Sequence, residues 1–161
     1  MKIYTIRDDY IDFLRSLDPN VLYNKKEKRP YIGIVIVVNQ CNYYVPLSSP
    51  KPKHKTMRNG KDFIKLAGGT CGVINFNNMI PVIDSVLTLK DIANEQNPSY
   101  KALLMKQTKE INAIESKIKD KAQNLHNLVM TEDSLLNPYD LKVKKRCCNF
   151  ALLEERHKDF K

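Results

Sequence analysis

Residues 31–47, "YIGIVIVVNQCNYYVPL", hold two runs of β-branched and aromatic residues separated only by Asn39 and Gln40 near a turn. Side chains of this kind fit a pleated, half-buried surface, so the two runs predict a hairpin at the heart of a sheet. Whatever else the chain does, it must fold around that pair. Pro46 removes an amide donor, so the second strand is expected to be an edge there or to end shortly afterwards. The longest apolar stretch, "YIGIVIVV", is far below the roughly 20 residues of a membrane span. The start "MKIYTIRDDY" lacks the apolar core of a signal peptide. A cytoplasmic location with no membrane partner is the expectation.

Around the hairpin, "KIYTI" reads as a first strand. "DDYIDFLRSL" reads as an amphipathic helix whose Tyr10, Ile11, Leu14 and Leu17 recur at helical spacing after an acidic start. A loop carrying Lys25, Lys26, Lys28 and Arg29 closes at Pro30, which favours an extended entry into the next strand. After a basic loop to Gly60 come three short strand patterns, "DFIKLA", "CGVIN" and "MIPVI", the first two divided by the glycine pair at 68 and 69. Thr88 with Asp91 resembles a capping box for a short helix, and Pro98 opens a longer one. Along that longer helix Leu104, Ile111, Ile114, Ile118, Leu125 and Leu128 form a continuous apolar seam, predicting a long core helix on the sheet rather than a coiled coil. A last helix starts near Asn149, with Phe150, Leu153 and Phe160 on one face. Strands followed by helices argue an α+β domain spanning 1–161: a curved sheet or small barrel packed by helices.

Twenty-seven Lys and Arg against 18 Asp and Glu give a net charge of +9. That excess favours an anionic partner, nucleic acid before membrane, because no basic amphipathic helix dominates. His54, His126 and His157 are scattered and belong to no zinc-binding unit, and no acidic cluster suited to magnesium stands out, so no metal or other cofactor is expected. His126 and His157 read as structural or surface residues. Cys41, Cys71, Cys147 and Cys148 lack ligand spacing and are expected to be reduced thiols. "LAGGTCG" is glycine-rich but lacks P-loop spacing, and there is no G-x-S-x-G, which disfavours a nucleotide-binding loop and a serine hydrolase.

One stretch keeps chemical potential. In "PLSSPKPKHK" three prolines restrict the backbone around Ser48, Ser49 and Lys51 at a strand end. Hydroxyls can donate to a phosphate, and a lysine can stabilise a developing phosphorane or supply a proton. RNA cleavage by its own 2'-hydroxyl needs only these functions, a base and an acid, and no metal. Residue types alone leave two readings open, a solubilising surface turn and an anion site.

The segments "KIYTI" with Tyr10, "KRPYIGIV", "YYVPLSSPKPKH", "GVINFNNMIPV", "PSYKALLMKQ" and "CNFALLEERHKDF" together resemble, in order, the ToxN/AbiQ family of endoribonuclease toxins from type III toxin-antitoxin systems. The resemblance spans almost the whole chain. It implies a compact, highly curved antiparallel sheet of the MazF and Kid small-barrel kind surrounded by helices. It also implies metal-independent cleavage leaving a 2',3'-cyclic phosphate. The implied partners are cellular or phage RNA substrates and a small structured antitoxin RNA, processed from repeats and bound in a closed protein–RNA ring, with abortive phage infection as a role in some members. A non-catalytic RNA-binding module is the alternative.

The family's L-T-S-P-K motif falls on Leu47, Ser48, Ser49, Pro50 and Lys51, with Ser48 where other members often carry threonine. Ser49 and Lys51 become the principal catalytic candidates, with Arg29 near the same phosphate. His54 has a counterpart in the family and is either a general acid or base or a phosphate or base contact. Lys25, Lys26, Lys28, Arg29, Lys53, His54, Lys55, Arg58, Lys142, Lys144, Lys145 and Arg146 are expected to hold RNA. Tyr10, Tyr23 and Tyr43 are either base-stacking platforms or core residues.

Overall fold

Asn39 and Gln40 both take the left-handed backbone conformation, with φ 49° and 61°. Two such residues in succession make the turn whose twist matches that of the flanking strands, and the hairpin forms around them. The computed structural model describes residues 1–161. Its strands are β1 (Lys2–Ile6), β2 (Tyr31–Val38), β3 (Cys41–Ser48), β4 (Phe63–Lys65), β5 (Val73–Asn75), β6 (Ile80–Pro81) and β7 (Leu87–Leu89). They form an antiparallel sheet in the order β4-β5-β3-β2-β1-β7, with β6 also paired to β3. The path is open, with β4 and β7 at its two ends.

β3 is interior, and its proline sits where the loss of a donor is harmless. The Leu47 amide turns towards β2, donating to the Pro30 carbonyl at 2.8 Å. Strand alternation therefore aims position 46 at the other edge. There β6 pairs with residues 43 and 44 and β5 with residues 47 and 48, leaving Pro46 in the break between them. The strand ends two residues later, as the proline predicts.

Helices α1 (Asp8–Leu17), α2 (Pro52–Thr56), α3 (Pro98–Ala113), α4 (Glu115–Met130), α5 (Pro138–Lys145) and α6 (Phe150–Arg156) surround the sheet, completing an α+β fold. α1 follows the sequence pattern, and α6 starts as expected, with Asn149 accepting from the Leu152 amide at 3.1 Å. But α6 ends at Arg156, so Phe160 lies beyond the helix, in extended backbone against the Tyr10 ring. Two expectations are corrected. The short helix after Thr88 does not form: residues 87–89 pair with residues 4–6 of β1, and Asp91 instead closes a local turn by accepting from the Asn94 amide. A tertiary ladder outweighs a local cap signal. The long helix is two helices meeting at Ile114, whose φ and ψ are −122° and 23°. The α-amino group of Met1 pins this bend, donating to Asn112 Oδ1 and Glu115 Oε2. α3 packs on the 66–69 segment and α4 on β2, two surfaces that one straight rod does not serve. The seam still faces inward, with Leu104, Ile111, Ile118 and Leu125 all buried. It belongs to the core, not to a coiled coil.

Tyr10 and Tyr43 are fully buried. The Tyr10 hydroxyl donates to Pro81 O, and Tyr43 donates to Glu154 at 2.6 Å. His126 meets the same carboxylate through Nε2 at 2.6 Å, so it is a structural residue of the core. Burial pushes the Glu154 carboxyl up, yet hydrogen bonds from Tyr43, His126 and Asn39 outweigh it and hold the group below the usual range. All four cysteines are buried and free.

Candidate phosphate-binding active site

The far end of β3 delivers Ser48 and Ser49 to the rim of a cavity of about 820 Å³. Lys51 follows on the same wall, while the 25–29 loop brings Lys25, Lys28 and Arg29 to it. Segments distant in sequence thus converge on one space. Its charged lining is Lys25, Lys28, Arg29, Lys51 and Lys90 against Glu27 and Glu95. Lys25, Lys28 and Lys51 form no ion pair within the protein. Cations left without internal partners around a concave surface attract an anion.

The local backbone explains why this wall is held so closely. Lys51 caps α2, and its amide donates to Nδ1 of His54 at 3.2 Å. His54 is buried, and burial, with the charges of Lys53 and Lys51 beside it, pulls its pKa below the ordinary 6.5. An unprotonated Nδ1 is what that contact requires. The pKa gap makes the loop's stability complete above pH 6.5 and lost as pH falls from there through the lower folded value. An acid limb with an apparent pKa below 6.5 is expected in the pH–activity profile. His54→Asn, which keeps an acceptor without a titrating ring, should flatten it; an unchanged limb would show that another group titrates.

Behind the wall runs the glycine segment 66–72. A Cβ on Gly72 would stand 1.9 Å from the Ser48 carbonyl oxygen, and one on Gly69 would stand 2.5 Å from that of His54. These glycines let one backbone lie against another. Asn75 on β5 donates from Nδ2 to Ser48 Oγ at 2.7 Å, which leaves the hydroxyl proton of Ser48 available to a ligand. The 25–29 loop is anchored from α1: Asp8 Oδ1 accepts from Asn24 Nδ2 and the Glu27 amide, and Glu27 returns a bond to the Asp8 amide. That anchoring holds Lys25, Lys26 and Glu27 in three successive left-handed conformations, φ 59°, 56° and 57°. Arg29 is half-buried and donates from Nε to Tyr23 O while still lining the cavity.

The remaining expected RNA contacts stand outside this cavity. Lys26, Lys53, Lys55 and Arg58 are exposed around its loops. Lys142 is exposed on α5. Lys144 bonds Thr131 O and Asp133, and Lys145 lines a separate groove with it. Arg146 forms a two-bond pair with the buried Asp62. Tyr23 is exposed beneath the Arg15 guanidinium. His157 is buried, with Nδ1 against Glu154 O. Thr5, Asn75, Asn78, Lys90, Glu95, Asn97 and Tyr100 also line the cavity and were not singled out from sequence. Asn97 could be read only as a helix cap, which it also is, accepting from the Tyr100 amide at 3.0 Å.

Two hydroxyls and several cations without internal partners gather around an open cavity on an α+β scaffold, an arrangement chemically suited to an anion such as phosphate. The family described as Toxin ToxN, type III toxin-antitoxin system, matches residues 2–158. The chain belongs to that family. It is 34% identical over 170 residues to the endoribonuclease ToxN of Pectobacterium atrosepticum, covering 99% of this chain and 94% of the relative. A solved structure concerned with selective toxin inhibition by a non-coding RNA pseudoknot superposes with a TM-score of 0.86 at 30% identity, covering 99% and 96% of the two chains. AbiQ, a lactococcal anti-phage endoribonuclease of the type III class, superposes with a TM-score of 0.83 at 28% identity, covering 99% and 96%.

Proposed function

We infer that the chain is an endoribonuclease toxin of a type III system, held in check by a structured non-coding RNA and able to act against phage. The observation that carries this reading is the convergence of Ser48, Ser49, Lys51 and Arg29 on one cationic cavity in a chain of this family. Residues 1–161 act as one toxin domain, supported by a single apolar core running from Ile3 to Leu153. The curvature of the sheet is read as that of the MazF and Kid small barrels, supported by β3 pairing with three strands. Antitoxin RNA occupies the same cavity within a closed protein–RNA ring, in the cytoplasm.

In this mechanism the 2'-oxygen of one nucleotide attacks the adjacent phosphorus as its proton leaves. The O2'–P bond forms, the P–O5' bond breaks, and a proton goes to O5', giving a 2',3'-cyclic phosphate and a 5'-hydroxyl. Lys51 and Arg29 stabilise charge on the phosphorane oxygens, and the Ser48 and Ser49 hydroxyls donate hydrogen bonds to them. His54 fixes Lys51 through the amide contact and moves no proton. No step requires a metal ion.

The test is incubation of purified protein with RNA in excess chelator, followed by end analysis. Cyclic-phosphate and 5'-hydroxyl termini are expected, whereas intact RNA held tightly would make the protein a binding module. Affinity for single strands should also fall with salt. Lys25, Lys28, Arg29 and Lys51 neutralising about four phosphates predict a slope near −3 in log K against log salt. A slope close to zero would remove the phosphate track.

A further inference from the structure

The cavity that gathers Ser48, Ser49, Lys51 and the 25–29 loop also carries a carboxylate in its lining. Glu95 is held there by two bonds: Oε2 accepts from Lys90 Nζ at 2.6 Å, and Oε1 accepts from the Asn97 amide at 3.1 Å. Hydrogen bonds from Lys90 and the Asn97 amide lower its pKa and favour the ionised form. Lys90 in turn stands 5.6 Å from the ring centroid of half-buried Tyr100, so the corner is fixed from three sides. The Lys90–Glu95 pair adds no net charge to the wall, and the carboxylate it holds in place still lines the cavity. The other carboxylate of the lining, Glu27, accepts from the Asp8 amide and anchors its loop.

We propose that Glu95 is a specificity-determining residue that accepts a hydrogen bond from the exocyclic amino group of a nucleobase next to the cleaved phosphate. The proposal rests on the reading of the cavity as a phosphodiester-cleaving site. An ionised carboxylate offers about four acceptor positions and no donor, and Lys90 and Asn97 use two of them. It therefore matches adenine, cytosine or guanine at an amino edge. It is mismatched to the O4 of uracil, where acceptor meets acceptor. Lys25, Lys28 and Lys51, which lack internal partners, draw the backbone to their side, and a strand so placed turns a base towards Glu95. Contacts to phosphate position a nucleic acid, while contacts to base edges discriminate sequence.

The experiment uses an oligoribonucleotide that the protein cleaves, with each nucleotide flanking the cut replaced in turn by its analogue lacking the amino group: purine riboside for adenosine, zebularine for cytidine, inosine for guanosine. At one position, removing the amino group should lower kcat/KM by about 10- to 100-fold in the parent protein. Glu95→Leu, which has no acceptor, should lose a similar factor on the amino-bearing substrate, and removal of the amino group should then change its rate by less than about threefold. A Glu95→Leu protein that is slower on every substrate yet keeps full amino dependence would give Glu95 a structural role only and overturn the proposal. Absence of amino dependence at every position in the parent would overturn it even if the variant fails to fold. The same series in uncleavable 2'-O-methyl form, read by affinity, examines Glu95 separately from turnover. Discrimination there without cleavage would refute the nuclease reading and not the base contact.

Discussion

Lys51→Ala is expected to lower single-turnover RNA cleavage by about 10²–10³-fold, the usual cost of removing one fixed charge from a developing oxyanion. Its thermal midpoint should stay within a degree or two of the parent. Lys51 is exposed, makes no ion pair and contributes to α2 through its backbone amide, which alanine retains. Loss of activity without loss of stability would therefore report the ammonium group itself. Lys51→Arg should recover only part of the rate, because a planar fork replaces a compact point charge. Ser49→Ala, also exposed, should fall in the same range, and the double variant should lose less than the product of the two, as groups acting on one transition state do. If Lys51→Ala cleaves within threefold of the parent, the assignment of this wall as catalytic fails. Should it cleave normally but bind RNA weakly, Lys51 is a positioning charge and the chemistry lies elsewhere in the cavity.

The parts of this protein that a linear reading recovers are those whose signal is local. The hairpin boundaries follow from β-branched runs around Asn39 and Gln40, α1 from apolar spacing after an acidic start, and the start of α6 from Asn149 ahead of Phe150 and Leu153. The break at Ile114 was not legible because the apolar seam continues through it; what bends the rod is the choice between two packing surfaces and the anchor of the Met1 amino group, both remote in sequence. Thr88 and Asp91 misled for a related reason, since a cap signal has no knowledge of a β1 edge awaiting a partner. Around the cavity, the 47–51 motif and the 25–29 loop could be named from residue types and resemblance. Glu95, Asn75 and Asp8 could not, because an isolated Glu, Asn or Asp carries no mark of the group it faces after folding. His54 illustrates the intermediate case: its residue type suggests proton transfer, while its buried ring holds the Lys51 amide.

The glycine segment 66–72 was legible as a turn but not as a support, and that distinction has a large consequence. Gly72→Ala should lower cleavage by at least 10²-fold and destabilise the fold by about 2–4 kcal/mol, combining a disfavoured backbone with a steric conflict. Gly72 has φ 95°, a region that L side chains rarely adopt. Its added Cβ would also meet backbone atoms rather than a flexible side chain: the Ser48 carbonyl oxygen at 1.9 Å and the Ser49 carbonyl carbon at 3.1 Å. Backbone cannot rotate away, so relief requires the 48–49 strand end to move by about an ångström, enough to cost two orders of magnitude in a positioned reaction. Gly68 supplies the control. It too has a positive φ, 63°, but a Cβ there meets nothing within 4 Å. Gly68→Ala should thus show only the backbone cost, about 1 kcal/mol, with cleavage close to the parent. Urea denaturation and single-turnover rates measured on both variants separate the two effects. Equal losses of activity at 68 and 72 would mean that general loosening of the loop, not displacement of Ser48 and Ser49, disables the site.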